Sequence, residues 1–430
     1  MSVDPNLYSE LESRGLVHQS TDTALAEYLK SPRVLYCGFD PTADTLHVGS
    51  LLPIITLRRF IRAGHKVIAV VGGATGMIGD PSFKAQERAL MNEDTLRKNV
   101  QGIQATLSRF LDPKSVIFEN NYDWMKRFSY LEFLRDIGKF FNVNQMIAKE
   151  SVRARLEDRD QGISYTEFSY MLLQGYDFMH LYEAHQCTLQ IGGSDQWGNI
   201  TAGTELIRRK YAAEGRPAPQ VYGLTQPLVT KADGTKFGKT EAGTLWLDPE
   251  RTSPYAFYQF LFNTADADVI RYLHFFTDLP LSQIESLKKS VESEPHKREA
   301  QRTLAREVTS LVHGAEEVEH VEKAAQALFS ESIRELDAKT LQSALSEAPA
   351  TSIDSSRLKD GIAVIDLLVE TGLAASKGAA RKDLQGGGIY INNTRIADLE
   401  FKASTSDLID GFGLVLRKGK KNYHLVKVKA

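Results

Sequence analysis

Two stretches of the chain carry residue types that bind phosphates. In residues 34–50, VLYCGFDPTADTLHVGS, a short apolar run is followed by a turn that contains His47 and Gly49. The run predicts a buried strand, and LLPIITLRRFIRAG after it predicts a helix. A strand that turns into a helix N-terminus is where parallel α/β sheets bind nucleotides. An ordinary strand-to-helix turn with a surface histidine has the same pattern.

The second stretch, KADGTKFGKTEAGT at residues 231–244, combines Lys236, Lys239 and Thr240 with several glycines. A mobile glycine backbone with two lysines and a hydroxyl suits closure over a polyphosphate. Lys84 and Arg88 are a further basic pair, and a helical turn would place both on one side. Taken alone, residues 231–244 are better explained as a solvated loop, and a solvated basic face explains Lys84 and Arg88 at least as well as phosphate binding does.

Polar residues interrupt a predicted apolar helix at 165–182. Tyr170, Gln174 and Asp177 follow i, i+4, i+7 spacing and therefore share one face. Burying an amide and a carboxylate without partners costs on the order of several kcal/mol. Two explanations remain open at this point: these side chains hydrogen-bond a neighbouring loop, or they line a polar pocket.

Two glycine-rich turns follow predicted strands. GGATGMIGDPS at 72–82 ends near Asp80, and CTLQIGGSDQWGNI at 187–200 repeats the order of strand, glycine turn and helix. Such glycines indicate a backbone pressed against a ligand or a neighbouring segment. Asp195 in the second turn could bond a ribose hydroxyl, although a helix cap is the commoner role for a lone aspartate there.

Composition indicates a globular, multidomain protein. The 430 residues carry a net charge of −3, which argues against wholesale coating of nucleic acid but not against a local basic patch. Cys37 and Cys187 cannot build a disulfide framework, so a reducing, cytoplasmic setting is expected. The N-terminus lacks the features of a signal peptide, and the chain contains no apolar run long enough to span a membrane.

The strand–helix alternation stops near residue 246, and the pattern is helical from there to about residue 330. Residues 331–357 are polar and rich in Ser and Ala, which is typical of a linker. The last segment, 358–430, combines a helix, a basic stretch and strands. From residue 411 on it has six Lys or Arg and no acidic residue, which suggests contact with a polyanion.

Taken together, HVGS, GGATGMIGDPS, the Tyr170 helix, IGGSDQWGN and KFGKT resemble the bacterial tyrosyl-tRNA synthetases, a class I family. The likeness extends over nearly the whole chain, in the family's order. It implies an α/β Rossmann-like parallel-sheet catalytic domain, followed by an α-helical domain and a small α+β RNA-binding domain. These would occupy residues 1–246, 247–330 and 358–430, with an insertion at about 125–165 as the dimer interface.

The resemblance implies two reactions and several partners. The carboxylate of L-tyrosine attacks the α-phosphate of ATP, and the tyrosyl group then passes to the 3′-terminal adenosine of tRNA(Tyr). The family also implies a homodimer, and Mg²⁺ that arrives with ATP rather than at a metal site of the protein. A tryptophan enzyme, a non-catalytic RNA-binding factor on the same scaffold, and an adenylyl-transferring ligase are the competing hypotheses.

Site residues carry over from the family by motif. The tyrosine-binding set is Tyr36, Asp80, Thr75, Asn121, Tyr170, Gln174, Asp177 and Gln196. The ATP-binding set is Cys37, Gly38, Asp40, His47, Gly49, Ser50, Gly193, Asp195 and Lys239. The catalytic set around the phosphates is His47, Thr42, Lys236, Lys239, Thr240, Lys84 and Arg88. The RNA-binding set in the last domain is Lys377, Arg381, Lys382, Arg417, Lys418, Lys420 and Lys421.

One position departs from the family pattern. The first signature usually ends in a second histidine, and Ser50 stands there in this chain. A serine can cap the helix that follows and still offer a hydroxyl to the nucleotide, so both roles are expected of it.

Overall fold

The computed structural model describes residues 3–82, 91–157, 162–240, 243–327, 330–345, 348–419 and 422–429. These residues form two compact units. The first comprises residues up to 251 together with 265–300, and the second comprises 252–264 together with 301–430. Each unit is described by itself.

The strands, in chain order, are β1 (Gln19–Ser20), β2 (Val34–Phe39), β3 (Lys66–Val71), β4 (Val116–Asn120), β5 (Cys187–Gly193), β6 (Tyr222–Gln226), β7 (Lys239–Thr240), β8 (Gly243–Thr244), β9 (Ala350–Asp354), β10 (Ile362–Ala363), β11 (Ile389–Ile391), β12 (Thr394–Arg395), β13 (Lys402–Ala403), β14 (Gly413–Lys418) and β15 (Asn422–Lys429).

The α-helices are α1 (Leu7–Ser13), α2 (Leu25–Tyr28), α3 (Leu51–Arg62), α4 (Thr75–Ile78), α5 (Glu93–Phe110), α6 (Tyr122–Met125), α7 (Tyr130–Asp136), α8 (Val143–Ile147), α9 (Glu150–Glu157), α10 (Tyr165–His185), α11 (Trp197–Ala213), α12 (Pro254–Phe262), α13 (Asp266–Phe276), α14 (Leu281–Ser293), α15 (Glu299–His313), α16 (Ala315–Ala327), α17 (Ala338–Ala344), α18 (Ser355–Lys359), α19 (Val364–Glu370) and α20 (Lys377–Gln385). Short 3₁₀ turns lie at Val48–Ser50, Gly138–Phe140, Ser194–Gln196, Pro295–Lys297, Glu331–Glu335 and Thr405–Asp407.

The first unit is built on a six-stranded sheet in the order β1-β6-β5-β2-β3-β4. Every neighbouring pair is parallel except β1 with β6. The strands β2 and β3 are apolar and buried along almost their whole length, as expected for a parallel sheet covered on both faces. β2 and β5 are neighbours in the sheet. The chain continues from β2 to β3 on one side and from β5 to β6 on the other, so the strand order reverses between β2 and β5. That reversal is the usual ligand crevice of such sheets.

Helix α10 covers this crevice. Its N-cap is Ser164, whose hydroxyl accepts a hydrogen bond from the backbone N–H of Glu167 at 3.2 Å, and the helix continues from Tyr165 for 21 residues. Its Phe178, Met179 and Leu181 are buried in one core cluster with Tyr36 and Ile68 of the sheet. The helix is therefore held between the sheet and its other neighbours, and its polar face has a fixed position.

The second unit contains a five-stranded sheet in the order β12-β11-β14-β15-β9. β9 runs parallel to β15, with Ala350 opposite Leu425, and the other pairs are antiparallel. One face of the sheet packs on α19 and α20, through residues such as Leu367 and Leu384. The other face packs on the segment that contains Leu341 of α17.

The prediction that residues 331–357 are a linker is wrong for the described part of that stretch. It contains α17 and the edge strand β9, and Ile333 and Leu341 are buried against Val415 and Leu425 of the sheet. Its polar, Ser- and Ala-rich composition reflects a helix and an edge strand that each bury only one side.

The predicted fold class is confirmed: a Rossmann-like, mostly parallel sheet with helices is followed by helices and a terminal α+β region. None of the described helices has the length and apolar character that crossing a membrane would require. The domain boundaries at 246, 330 and 357 stay predictions, and the two compact units divide the chain at other positions.

Candidate active site

A cavity of about 330 Å³ opens where β2, β3, β5 and β6 end. Its wall includes residues of the 34–50 stretch, of both glycine-rich turns and of the polar face of α10. From the predicted sets it contains Tyr36, Cys37, Gly38, Asp40, Thr42, His47, Gly49, Ser50, Thr75, Asp80, Asn121, Tyr170, Gln174, Asp177, Gly193, Asp195 and Gln196. Segments far apart in the chain therefore meet at the strand-order reversal.

Asp177 is the most enclosed charged group of the cavity, with 3% of its surface exposed. Its Oδ1 accepts a hydrogen bond from the indole Nε1 of Trp124 at 2.8 Å, and its Oδ2 accepts one from Asn121 at 3.0 Å. Burial raises the pKa of Asp177 to about 7, although these two hydrogen bonds oppose the shift. Both explanations for the polar helix face hold here, because Asp177 bonds a neighbouring segment and also lines the cavity.

The phenol of Tyr36 lies in the same end of the cavity. Within the described residues, its buried hydroxyl has no hydrogen-bond partner. Burial, and then the nearby carboxylate of Asp177, raise the pKa of Tyr36 well above its usual value. A protonated, unpartnered phenol beside a buried carboxylate can bind a ligand hydroxyl, which is able to donate to one group and accept from the other.

A hydrogen-bonded chain links the first glycine turn to α10. Tyr170 donates to Asp40 Oδ2 at 2.9 Å, and Thr75 donates to Asp40 Oδ1 at 3.1 Å. Asn121 in turn donates to the Thr75 hydroxyl at 3.0 Å. Gly72 passes so close to Thr75 and Asp40 that an added Cβ would collide with both. The glycine turn is therefore pressed against side chains of the site.

A second chain of polar groups reaches the β5 turn. Gln196 donates to Asp80 at 2.6 Å and to Asp195 at 3.2 Å, and its own oxygen accepts from Asn199 at 3.1 Å. Burial raises the pKa of Asp195, and the hydrogen bond from Gln196 opposes that shift. Two carboxylates thus face the cavity with one amide between them, a suitable site for an ammonium group or a ribose hydroxyl.

The first signature lies at the mouth of the cavity. His47 Nδ1 accepts a hydrogen bond from the backbone N–H of Gly49 at 3.0 Å, so Nε2 carries the proton of the neutral ring. Although the ring edge is open to solvent, surrounding protein atoms and the charge of Lys236 lower the pKa of His47. The expected helix cap at Ser50 is wrong, because Ser50 makes no side-chain cap bond and His47 caps the 3₁₀ turn instead.

The second signature loop lies beside the first. Gly238 has φ +83° and packs so closely on Val48 that an added Cβ would collide with it. Leu245 donates to the Gly238 carbonyl and accepts from Val48, both at 2.9 Å. Lys236 and Lys239 are exposed on this loop and do not belong to the cavity wall.

Sequence comparison identifies the family. The profile described as "tRNA synthetases class I (W and Y)" matches residues 29–330, and "Tyrosine--tRNA ligase SYY-like C-terminal domain" matches 340–426. The chain is 51% identical to a tyrosine--tRNA ligase of Desulfitobacterium hafniense, over 98% of this chain and 100% of that protein. It is 52% identical to tyrosine--tRNA ligase 1 of Bacillus subtilis, over 99% and 100% of the two chains.

The chain belongs to the tyrosine--tRNA ligases. It therefore has the ligase activity of that class I family, with ATP as a substrate. Membership of this family selects the expected reaction over a tryptophan enzyme, a non-catalytic RNA-binding factor and an adenylyl-transferring ligase.

A solved structure supports the same assignment. A C-terminally truncated mitochondrial tyrosyl-tRNA synthetase of Coccidioides posadasii superposes with a TM-score of 0.65 at 33% identity. The match covers 74% of this chain and 91% of that one. A tyrosyl-tRNA synthetase of Archaeoglobus fulgidus, with a TM-score of 0.53 at 14% identity, shows only the shared fold.

Several predicted site residues do not line the cavity or fall outside the described residues. Lys84, Arg88, Lys420 and Lys421 fall outside the described residues, and Thr240 follows Lys239 in β7. In the second unit, Arg381 and Lys382 are exposed on α20. Three other predicted RNA contacts have partners: Lys377 pairs with Asp366, Lys418 pairs with Asp383, and Arg417 stacks on Tyr390 with its guanidinium 3.8 Å from the ring centre.

Sequence reasoning missed two side chains of the site. Gln190 lies in the middle of β5, lines the cavity and keeps a buried oxygen with no partner among the described residues. A polar residue within the apolar run CTLQIGG was the available signal. Trp124 donates a hydrogen bond to Asp177 and lies four residues after the end of β4. Nothing in the sequence pattern around Trp124 indicated that contact.

The raised pKa of Asp177 predicts a pH effect on stability. Between about pH 4 and pH 7 the folded state retains a proton that the unfolded chain, with a pKa near 3.8, has lost. The free energy of unfolding therefore falls as pH rises through this window. Relative to Asp177→Asn, wild type should lose on the order of 2 kcal/mol between pH 5 and pH 8. Denaturant unfolding at both pH values measures this, with the exposed-site variant Asp123→Asn as control, and equal differences at both pH values would contradict it.

Proposed function

We propose that the cavity binds L-tyrosine with its phenol against Tyr36 and Asp177. The observation that carries the proposal is the buried Tyr36 hydroxyl, which has no partner among the described residues and lies at the cavity end with Asp177. Leaving such a hydroxyl unpaired costs about 1–3 kcal/mol, and the hydroxyl of the substrate would remove that cost. Asn121 and Trp124 orient the Asp177 carboxylate by their hydrogen bonds.

The ammonium group of tyrosine is placed between Asp80, Tyr170 and Gln174. All three line the cavity, and Gln196 already orients the Asp80 carboxylate. The hydrogen bond that Tyr170 donates to Asp40 fixes the orientation of the Tyr170 hydroxyl toward the ligand. A charged amine beside an oriented carboxylate gives the strong, charge-assisted type of hydrogen bond. The substrate carboxylate then points toward the mouth of the cavity.

ATP is proposed to occupy the mouth, near Gly49, Gly193 and Asp195. A tyrosine carboxylate oxygen forms a bond to the α-phosphorus while the bond to the bridging oxygen of pyrophosphate breaks. The carboxylate is already ionised, so no general base is needed. His47 donates a hydrogen bond from its Nε2–H to a phosphate oxygen, and Lys236 and Lys239 stabilise the charge that develops on pyrophosphate.

Mg²⁺ is proposed to enter with the phosphates of ATP, as it does in many nucleotide-dependent enzymes. In the part of the chain that the structure describes, no three His, Cys, Asp or Glu side chains come together as a metal site. The ion would supply further charge neutralisation on the phosphates. The second step passes the tyrosyl group from the adenylate to a hydroxyl of the 3′-terminal ribose of tRNA(Tyr), and AMP leaves.

The second unit is proposed to bind tRNA through its basic surface, which includes the exposed cations Arg381 and Lys382 of α20. Lys377 and Lys418 would exchange their carboxylate partners for phosphates. A cytoplasmic location is proposed as well, because both cysteines are free and buried thiols.

We also propose that the enzyme is a homodimer that uses the segment at about 125–165. Several large apolar side chains are exposed there, among them Leu131 with 75% of its surface accessible and Val143 with 55%. Exposed apolar patches mark protein–protein interaction sites, and these side chains would be buried in such an interface.

Removing the Tyr36 hydroxyl should weaken discrimination between tyrosine and phenylalanine. A site built to bond a hydroxyl rejects the analogue that lacks it, and tyrosine–tRNA ligases are themselves a known example. In Tyr36→Phe, the ratio of kcat/KM for tyrosine to that for phenylalanine should fall roughly five-fold, the value of one hydrogen bond. Pyrophosphate exchange measures both. Tyr222→Phe, on β6 with its ring centre 4.6 Å from that of Tyr28, is the matched control. An unchanged ratio in Tyr36→Phe would refute the assignment.

Loss of either signature lysine should slow activation but not tyrosine binding. The charge on pyrophosphate develops mainly in the transition state, so Lys236→Ala and Lys239→Ala should each lower the rate of adenylate formation by roughly 10²-fold or more. Rapid-quench kinetics and equilibrium tyrosine binding separate the two effects. Lys231→Ala, on the same loop, is the control. A loss confined to tyrosine affinity would mean that the loop does not hold phosphates.

A charge in the proposed interface should separate the subunits. Leu131→Glu should move the protein from dimer to monomer at micromolar concentration, since burying one unpaired carboxylate per subunit costs several kcal/mol. Sedimentation equilibrium reports the mass. Leu281→Glu, at an exposed leucine of α14 outside the segment, is the matched control. If Leu131→Glu has the same mass as the parent, the interface lies elsewhere.

A further inference from the structure

Helix α13 (Asp266–Phe276) holds the start of the second signature loop. Asp268 Oδ2 accepts a hydrogen bond from the backbone N–H of Ala232 at 3.1 Å. The Tyr272 hydroxyl donates to the carbonyl of Thr230 at 2.9 Å, and Arg271 donates to the same carbonyl. Asp268 also pairs with Arg271 at 2.7 Å. The backbone at Thr230 and Ala232 is therefore fixed to one face of the helix.

The same helix holds the middle of the loop through aromatic packing. Phe237 lies between the two signature lysines in sequence and is buried. Its ring centre is 4.7 Å from that of Tyr272, and it stacks on Phe276 at 5.1 Å. Lys236 and Lys239 on either side of it are exposed. The loop therefore presents its lysines from a buried aromatic anchor.

The other end of α13 is held by Arg59, which belongs to α3. Arg59 has 2% of its surface exposed and donates to the carbonyl of Thr277 at 2.7 Å and to that of Phe275 at 3.4 Å. Arg14 donates to the Thr277 carbonyl at 3.3 Å as well. Carbonyls at a helix C-terminus lack partners within the helix, so cations are favourable there.

These contacts close a ring between the two signatures. Helix α3 starts directly after His47–Ser50, and Arg59 connects it to the end of α13. Tyr272 and Asp268 connect α13 to the second loop. Gly238 and Val48 then bring that loop back to the first signature.

We propose that α13 sets the position of the signature lysines over ATP, and that Asp268, Tyr272 and Arg59 are positioning residues for adenylate formation. This inference rests on the proposed phosphate role of Lys236 and Lys239. An exposed lysine on a free loop must lose conformational entropy to reach a developing charge, and an anchored loop has lost much of it beforehand. The ring also explains why Arg59, although far along α3 from His47, is buried as a cation.

Tyr272→Phe tests the loop end of the helix, because it removes the bond to Thr230 and keeps the ring beside Phe237. Its kcat/KM for ATP in pyrophosphate exchange should fall roughly five-fold, the value of one hydrogen bond, with tyrosine affinity unchanged. Tyr258→Phe is the matched control: it removes a hydroxyl bonded to Glu322 in the second unit, at 3.0 Å, and should leave the ATP dependence as in wild type.

Arg59→Lys tests the far end. It keeps the charge but cannot reach several carbonyls at once. The same ATP-specific loss is expected, and the double variant Arg59→Lys/Tyr272→Phe should lose less than the product of the two single effects, because both act on one element. The thermal midpoint of each variant is recorded in parallel.

The outcomes are distinct. An ATP-specific loss in both single variants, with non-multiplicative effects in the double variant, supports the proposal. A lowered thermal midpoint with wild-type ATP dependence means that the contacts only stabilise the fold, and it overturns the proposal. If Lys236→Ala and Lys239→Ala leave activation unchanged, the proposed function fails first; if they slow it while Tyr272→Phe and Arg59→Lys do not, only the role of α13 fails.

Discussion

The neighbouring positions of β2 and β5 are the constraint on which the whole site depends. The chain passes from β2 toward β3 and from β5 toward β6, so the segments that follow the two strands separate and leave a crevice. Asp40 and His47 follow one strand, while Asp195 and Gln196 follow the other. A change in strand order would leave each of these residues in place along the chain but would disperse the cavity.

Within that crevice, the buried carboxylate of Asp177 is the costly element. An ionised carboxylate is poorly solvated there, and the raised pKa records the cost. Asn121 and Trp124 offset part of it, and Asn121 is itself held by the backbone N–H of Ala74 at 2.7 Å and by Thr75. Asp177, Asn121, Trp124 and Thr75 are thus joined in one hydrogen-bonded network, which rigidifies this side of the pocket before any ligand enters. Preorganisation of this kind favours selectivity over adaptability.

Much of the fold was predictable from local pattern, whereas several residues of the cavity, such as Thr75 and Asn121, were expected only from the family resemblance. The apolar runs of β2 and β3, the glycine turns and the i, i+4, i+7 face of α10 each report on neighbours within a few residues, and their common location follows from parallel-sheet topology. Contacts between distant segments were not predictable in that way. Trp124 with Asp177, and Arg59 with the end of α13, join residues that no periodicity relates. The linker prediction for residues 331–357 failed for another reason. An edge strand such as β9 is polar on its open side, and its composition matches that of a linker.

The position of β15 has a consequence for biosynthesis. This strand lies between β14 and β9, and it pairs with both. While the chain is being synthesised, β9 emerges from the ribosome long before its partner, and its open edge has nothing native to pair with until β15 follows. A product that stops before residue 422 leaves an edge of β14 and an edge of β9 unpaired and lacks Leu425 of the Leu341 cluster. Unpaired edges and exposed apolar side chains attract proteases and chaperones. The second unit therefore depends on β15 for its native strand pairing, whereas the Rossmann-like sheet of the first unit has all its strands once β6 has been made.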